Sequence, residues 1–229
     1  MNLLALDTST EYLSLAILKD DALYTFDVNA GQSHSQIILP QLQLLLAEAG
    51  LQLHDLHGIA FGAGPGSFTG VRIAAGVVQG LALGANLPIL PVCTLEALAE
   101  TSGLERVVAC LDARMGEIYH AVYDKTAHGW SAQVPPSVCK PEAAPAFAGQ
   151  DYVGVGSGWQ TYGTQLSALY GSQITATQPE ALPTATAILQ IAKPVFAAGK
   201  GLPAIEAHPI YIRNRVALKS AERAQGLKL

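Results

Sequence analysis

The most constraining feature of this sequence is a glycine-rich run, residues 62–70, that leads directly into small and apolar residues. It reads Gly-Ala-Gly-Pro-Gly-Ser-Phe-Thr-Gly and is followed by Val-Arg-Ile-Ala-Ala-Gly. Glycine leaves space where another backbone or a ligand comes close, and proline stiffens the turn. We therefore predict a tight turn that is closely approached, followed by a helix over residues 67–84.

Within that helix Gly76, Gly80 and Gly84 recur at four-residue spacing and lie on one stripe. Each glycine costs roughly 0.5–1 kcal/mol relative to alanine in a helix interior, so a stripe that costs about 2–3 kcal/mol needs an offset. Close packing against another helix provides one. Polar residues such as Arg72 interrupt the apolar segment 71–92, which favours a buried helix, a turn and a strand over a membrane span.

Composition narrows the class of protein. The 229 residues are 50% hydrophobic and 14% charged, which suffices for a dense core. The formal net charge of -5 argues against a free-standing nucleic-acid binder. Cys93, Cys110 and Cys139 lack the spacing of a zinc site or a disulfide framework. Residues 1–7 lack the basic start of a signal peptide, so we expect a cytoplasmic protein.

The order of predicted elements indicates an α/β fold. Strand-like runs cover residues 3–7, 13–18, 22–28, 58–62 and 88–92, and a further helix covers residues 94–101. Residues 4–12 have a counterpart in residues 109–117, each an apolar strand that ends in aspartate. We therefore predict two related lobes with mixed sheets and helical cover, over residues 1–105 and 106–229, the second lobe smaller and less regular.

The first long helix is predicted from Ser33, with Gln36 completing a capping box, to about Ala49. Pro40 is expected to kink it or delay its start. Its apolar residues cover more than one stripe, which predicts two buried faces. A metal-binding pair on this helix would need a second histidine one turn after His34, and Ile38 stands there, so His34 is interpreted as a capping or packing residue.

Two readings remain open for the aspartates and the glycine run. Asp7 and Asp112 at strand ends, facing a cleft, would suit magnesium or phosphate, and an aspartate after a strand also caps turns. Gly64 and Gly66 could offer backbone N–H groups to an anion. No Gly-Lys-Ser/Thr follows, so a structural turn is the alternative.

Basic residues concentrate at the C-terminal end of an otherwise acidic chain. They are Arg213, Arg215, Lys219, Arg223 and Lys228, against only Glu222. Such a tail could contact RNA phosphates or an acidic partner, or it could be a solvated chain end.

Residues 4–10, the run 62–72 and Pro-Ile-Tyr-Ile-Arg at residues 209–213 together resemble the bacterial TsaB family over essentially the whole chain. The resemblance implies a two-lobed actin-like, sugar-kinase and Hsp70-like ATPase fold. It also implies a part in making N6-threonylcarbamoyladenosine (t6A) at position 37 of tRNAs. TsaB-like proteins resemble degenerate paralogues of the catalytic subunit TsaD, whose metal-binding histidine pair lies on the helix that matches the one starting here near His34.

In this family the two N-lobe helices pair with the same helices of TsaD or of a second TsaB. The positions carried over as partner-binding are His34, Ile38, Leu42, Leu45, Thr69, Arg72, Ile73, Gly76, Gln79 and Gly80. The resemblance further implies TsaE as a partner, contact with tRNA only through the complex, and ATP used by the complex rather than bound tightly here.

Two hypotheses of different classes follow. The first is a non-catalytic scaffold that docks TsaD through its N-lobe helices. The second is an ATP-binding or metallopeptidase-like enzyme that uses the interlobe cleft, with Asp7, Asp112, Gly64 and Gly66 at the site. A homodimeric structural protein that uses the same helices differs from the first only in its partner.

Overall fold

The computed structural model describes residues 1–213 and contains two five-stranded sheets. The first sheet opens with an antiparallel meander, and two parallel strands extend it in the order β3-β2-β1-β4-β5. Its strands are β1 (Leu3–Asp7), β2 (Tyr12–Lys19), β3 (Ala22–Asn29), β4 (Gly58–Gly64) and β5 (Ile89–Cys93).

The second sheet repeats the order of the first. Its three antiparallel strands are again followed by two parallel ones, in the order β8-β7-β6-β9-β10. The strands are β6 (Arg106–Asp112), β7 (Ile118–Thr126), β8 (Gly129–Cys139), β9 (Tyr152–Val155) and β10 (Ile174–Gln178). This duplication confirms the predicted repeat and the two-lobed, actin-like α/β fold.

Five α-helices cover the sheets in the described part of the chain. They are α1 (His34–Glu48), α2 (Phe68–Ala85), α3 (Thr94–Thr101), α4 (Ser157–Tyr170) and α5 (Ala185–Ala197). Single 3-10 turns occupy Leu53–Asp55, Pro141–Ala143, Gly171–Gln173 and Ala204–Glu206. Helix α3 has the predicted first and last residues, because its apolar residues recur at helical spacing and Ser-Gly follows directly.

Helix α1 corrects two predictions. Ser33 precedes the helix but makes no side-chain cap hydrogen bond, so the predicted capping box is wrong. The helix also has one buried face rather than two, because only a single stripe packs on the first sheet while Leu39 and Leu44 are 50% and 62% exposed. Pro40 lies inside the helix and does not delay its start.

Helix α2 lies beside α1 on the same core. Its N-cap is Ser67, whose hydroxyl accepts a hydrogen bond from the Gly70 N–H at 3.2 Å, and its C-cap is Asn86 in the left-handed region. By length and composition α2 is the one described helix that could cross a membrane, a test that core helices also pass. Its apolar core-facing residues are Val71, Ala74, Ala75, Val78 and Ala82.

Helix α5 returns the chain to the first sheet. It covers the face opposite to α1 and α2, where Ile188, Leu189 and Ala192 pack with the outer side of β1 and β4. The Ala185 N–H donates to Ser14 Oγ at 2.7 Å. The first sheet is thus covered on both faces. The division into lobes at residue 105 stays a prediction, since α5 follows the second sheet in sequence and packs on the first.

Candidate functional site

The glycine-rich run packs directly on the turn that follows β1. A side chain at Gly62 would meet the Asp7 carboxylate, and one at Gly70 would meet the Thr8 carbonyl oxygen. The contact is held by hydrogen bonds: Thr8 Oγ1 donates to the Gly70 carbonyl at 2.7 Å, and the Ser67 N–H donates to the Ser9 carbonyl at 2.7 Å. The run therefore serves a close backbone approach within the chain, as the structural-turn alternative predicts.

Asp7 lies beneath this contact and is 1% exposed. Its Oδ1 accepts hydrogen bonds from the Ser9 N–H at 2.9 Å and from the Ser9 hydroxyl at 2.7 Å, while Oδ2 has no partner. Burial raises the pKa of this carboxyl to about 6, against the lowering effect of the Ser9 bonds. The prediction that Asp7 faces the cleft is wrong, because the side chain turns into the packed glycine run.

A cleft of about 1000 Å³ lies between the two lobes. Of the four predicted phosphate-binding residues, Gly66 and Asp112 line it, whereas Gly64 is buried beneath the Ile210 carbonyl. Asp112 accepts the Arg114 N–H at 2.8 Å, and its Oδ2 lies 3.3 Å from Arg114 Nη1. Asp112 therefore acts as the turn cap that the sequence left as an alternative, with its carboxylate already paired.

The four partner-binding positions assigned to α1 face the protein's own core. His34, Ile38, Leu42 and Leu45 are between 1% and 5% exposed. His34 Nε2–H donates to the Tyr12 carbonyl at 3.1 Å, which fits the packing interpretation. Side chains this buried have little surface to offer a second protein, so any docking surface on α1 consists of its other residues.

The positions assigned to α2 mostly lie on its outer side. Thr69, Arg72, Gly76 and Gly80 are exposed, and Ile73 and Gln79 are half-buried. A side chain added at Gly76, Gly80 or Gly84 would meet no atom within 4 Å. The stripe therefore has no packing partner within residues 1–213.

Large apolar side chains are also exposed on these two helices. Leu39 and Leu44 on α1 and Leu83 on α2 are 50%, 62% and 62% exposed. We call these three leucines and the three glycines of the stripe the α1–α2 surface. The assigned positions omit the leucines, although the excess of apolar residues on α1 is a sequence signal for Leu39 and Leu44.

Arg72 belongs to a different environment at the start of α2. Its guanidinium lies 3.2 Å from the ring centroid of Phe68 and 5.0 Å from that of Tyr211, and Nη1–H donates to the Phe68 carbonyl at 2.8 Å. Both aromatic residues border the cleft. Arg72 is thus held at the cleft rim by a cation–π contact.

Two further features of the sequence are the basic C-terminal residues and the possible metal-binding side chains. Arg213 forms an ion pair with Glu117 at 2.6 Å, whereas Arg215, Lys219, Arg223 and Lys228 lie outside the described residues. Within residues 1–213, no three His, Cys, Asp or Glu side chains come together as a metal-binding group. No sequence signal near Arg213 points to Glu117, because the pair joins residues 96 positions apart.

Comparison with known proteins identifies the relatives of this chain. Residues 28–198 match the family model "TsaD: tRNA N6-adenosine threonylcarbamoyltransferase". The chain is 40% identical to the tRNA threonylcarbamoyladenosine biosynthesis protein TsaB of Escherichia coli, over 96% of this chain and 97% of that protein. It is 39% identical to the TsaB of Haemophilus influenzae, over 96% of each.

Solved structures agree with the sequence relatives. The structure described as YeaZ from Pseudomonas aeruginosa superimposes with a TM-score of 0.85 at 39% identity, covering 92% of this chain and 99% of that one. A second structure from P. aeruginosa, described as an uncharacterized protein with similarity to peptidase YEAZ, gives 0.86 at 39% identity over 93% and 99%. Near-complete coverage at this identity assigns the chain to the TsaB family of tRNA threonylcarbamoyladenosine biosynthesis proteins.

Proposed function

We propose that this chain is a non-catalytic scaffold subunit of the complex that makes t6A at position 37 of tRNA, and that it docks TsaD through α1 and α2. A part in t6A synthesis is supported by the 40% identity to the E. coli protein that is named for threonylcarbamoyladenosine biosynthesis. The α1–α2 surface supports the docking role. The observation that carries the proposal is the exposed stripe of Gly76, Gly80 and Gly84 on α2, together with three exposed leucines on α1 and α2.

In the isolated chain, the α1–α2 surface has two energetic costs. Each helical glycine sacrifices roughly 0.5–1 kcal/mol of helix stability, and exposed leucines leave apolar area in water. Packing against a second helix offsets both, because glycines let the helix backbones approach closely and the leucines are then buried. A TsaD helix pair of matching geometry would be such a partner.

The residues that would support an enzyme are arranged for other tasks. His34 is packed in the core with Ile38 one turn later, Asp7 is buried under the glycine run, and Asp112 is paired with Arg114. The cleft is large enough to admit a nucleotide, and this volume is the observation that favours the alternative of an ATP-binding enzyme. That alternative would need Asp112 for its chemistry.

The same proposal includes the remaining members of the assembly. TsaE joins the complex, tRNA is contacted through the complex, and a second copy of this chain competes with TsaD for the α1–α2 surface. ATP is consumed by the complex, without tight binding to this subunit. The site of action is the cytoplasm.

A reconstituted tRNA modification assay tests the proposal. Omitting this chain should abolish t6A formation, and adding wild type or Asp112→Asn should restore it equally, because the subunit supplies surface rather than a reacting group. Titration of the purified chain with Mg-ATP is the companion measurement. Loss of modification by Asp112→Asn despite normal TsaD binding, or turnover by this chain alone, would favour the enzyme.

A further inference from the structure

Residues 209–213 cross the cleft from one lobe to the other. At the first lobe, the Ile210 N–H donates to the Ala63 carbonyl of β4 at 2.7 Å. The Ile210 carbonyl lies over Gly64, where an added side chain would come within 3.0 Å of it. The glycine-rich run thus leaves room for this crossing segment as well as for the turn after β1.

The middle of the segment contacts the start of α2. Tyr211 is the second aromatic ring that faces the Arg72 guanidinium, at 5.0 Å. This contact adds a side-chain attachment to the backbone hydrogen bond at Ile210. Residues 210 and 211 are therefore joined to two elements of the first lobe.

The other end of the segment is joined to the turn between β6 and β7. Arg213 Nη2 donates to the Ala113 carbonyl at 3.0 Å and to Glu117 Oε2 at 2.6 Å, and Nη1 lies 3.2 Å from the Met115 sulfur. The Arg213 side chain is 13% exposed and the Glu117 side chain 34%, so the ion pair is partly shielded from water. Charge-assisted bonds of this kind are stronger than neutral ones.

That turn depends on its surroundings for its shape. Arg114 and Met115 have φ values of 61° and 57°, a region that residues with side chains rarely adopt. Such conformations persist where neighbouring contacts hold them. The hydrogen bond from Arg213 to the Ala113 carbonyl is one of these contacts.

A separate set of contacts joins the lobes through α3. Glu100 on α3 accepts hydrogen bonds from Lys125 on β7 and from Trp130 on β8. Leu95 and Leu98 of the same helix are buried against the second sheet. Two bodies joined at one place can still rotate about it. A second attachment elsewhere removes that freedom.

We propose that residues 209–213 form a clasp that sets the opening of the interlobe cleft, with the Arg213–Glu117 ion pair as its releasable end. The α3 contacts provide the hinge, and the clasp holds the two cleft walls at their present separation. This goes beyond the docking role proposed above and does not depend on it, because none of the clasp contacts involves the α1–α2 surface.

The test measures cleft width and local protection in the full chain. Spin labels on non-natural amino acids at positions 32 and 160, which line opposite walls, report the interlobe distance distribution. Arg213→Ala should lengthen and broaden that distribution and should speed hydrogen exchange of the Ile210 amide at least tenfold. Glu117→Ala should act in the same direction with a smaller effect, because the Ala113 bond remains.

The matched control is Lys193→Ala, which removes an exposed ion pair with Asp21 far from the cleft and should leave both readouts at wild-type values. The amides of β1 should exchange at wild-type rates in every variant. The proposal is overturned if both clasp variants keep the wild-type distance distribution. It is also overturned if exchange accelerates equally at Ile210 and throughout β1, because Arg213 would then support only overall stability.

Discussion

Two sets of glycines in one stretch of chain perform opposite tasks. Gly62, Gly66 and Gly70 are pressed against the turn after β1, where an added side chain would strike Asp7, Ser9 or Thr8. The other set, the stripe on α2, meets no atom within 4 Å. The first set is explained by contacts within the chain. The second leaves its cost uncompensated within residues 1–213, which is why we assign it to an interface.

The largest expected effect belongs to the packed set. Gly70→Ala would place a methyl group against the Thr8 carbonyl and disturb the hydrogen bond from Thr8 Oγ1 to the Gly70 carbonyl. Since backbone must shift to make room, we expect a loss of about 3 kcal/mol in the free energy of unfolding. Urea unfolding measures it. A loss below about 0.5 kcal/mol, the range of ordinary surface changes, would contradict the close approach.

Asp7, enclosed by the same glycines, gives a pH-dependent prediction. Its pKa is raised to about 6 by burial, so ionisation costs stability as pH rises from the unfolded value of 3.8 through 6. A shift of this size corresponds to about 3 kcal/mol at 1.36 kcal/mol for each pH unit. Asp7→Asn cannot ionise, so its stability relative to wild type should improve between pH 4 and pH 7.

The comparison with wild type matters because His120 titrates in the same window with the opposite sign. Burial lowers the pKa of His120 to about 4, so that residue destabilises the fold as pH falls below 6.5. Urea unfolding of both proteins at several pH values isolates the contribution of Asp7. A difference that stays constant from pH 4 to pH 7 would show that Asp7 does not titrate as described.

The smallest expected effect is a gain in stability, opposite to the loss expected for Gly70→Ala. Gly76→Ala changes the same residue type on the same helix as Gly70→Ala, but the new methyl group points into open space. We expect the isolated chain to gain roughly 0.5–1 kcal/mol in the free energy of unfolding, since alanine is the better helix former. Thermal and urea unfolding measure this gain. A loss of stability would mean that the stripe already packs within the chain.

The sequence predicts the local elements of the first lobe well, because strand and helix periods with clear turn residues are local signals. Helix α3 and strand β1 have the predicted bounds, and the repeat of strand, aspartate and strand correctly indicates two equivalent sheets. Strand β8 and helix α5 are missed, since Pro135 and Pro194 interrupt their patterns.

The candidate site is predicted less well, for a physical reason. On α1 the apolar residues of the core and those of an interface look alike in sequence. Ile38 and Leu42, which the family resemblance marks as partner-binding, are buried, whereas Leu39 and Leu44 are exposed. The sequence places Asp7 at the cleft because the turn after β1 is recognisable, but it does not show in which direction the Asp7 side chain points. The Arg213–Glu117 pair depends on long-range folding that no local pattern encodes.

The central claim is tested most directly by the affinity between this chain and purified TsaD, measured for wild type, Gly80→Leu and Gly163→Leu. Both glycines lie on helices with open space around an added side chain, but only Gly80 belongs to the α1–α2 surface. We predict that Gly80→Leu weakens binding at least tenfold and that Gly163→Leu binds as wild type does. Equal affinities for all three folded proteins would contradict docking through this surface.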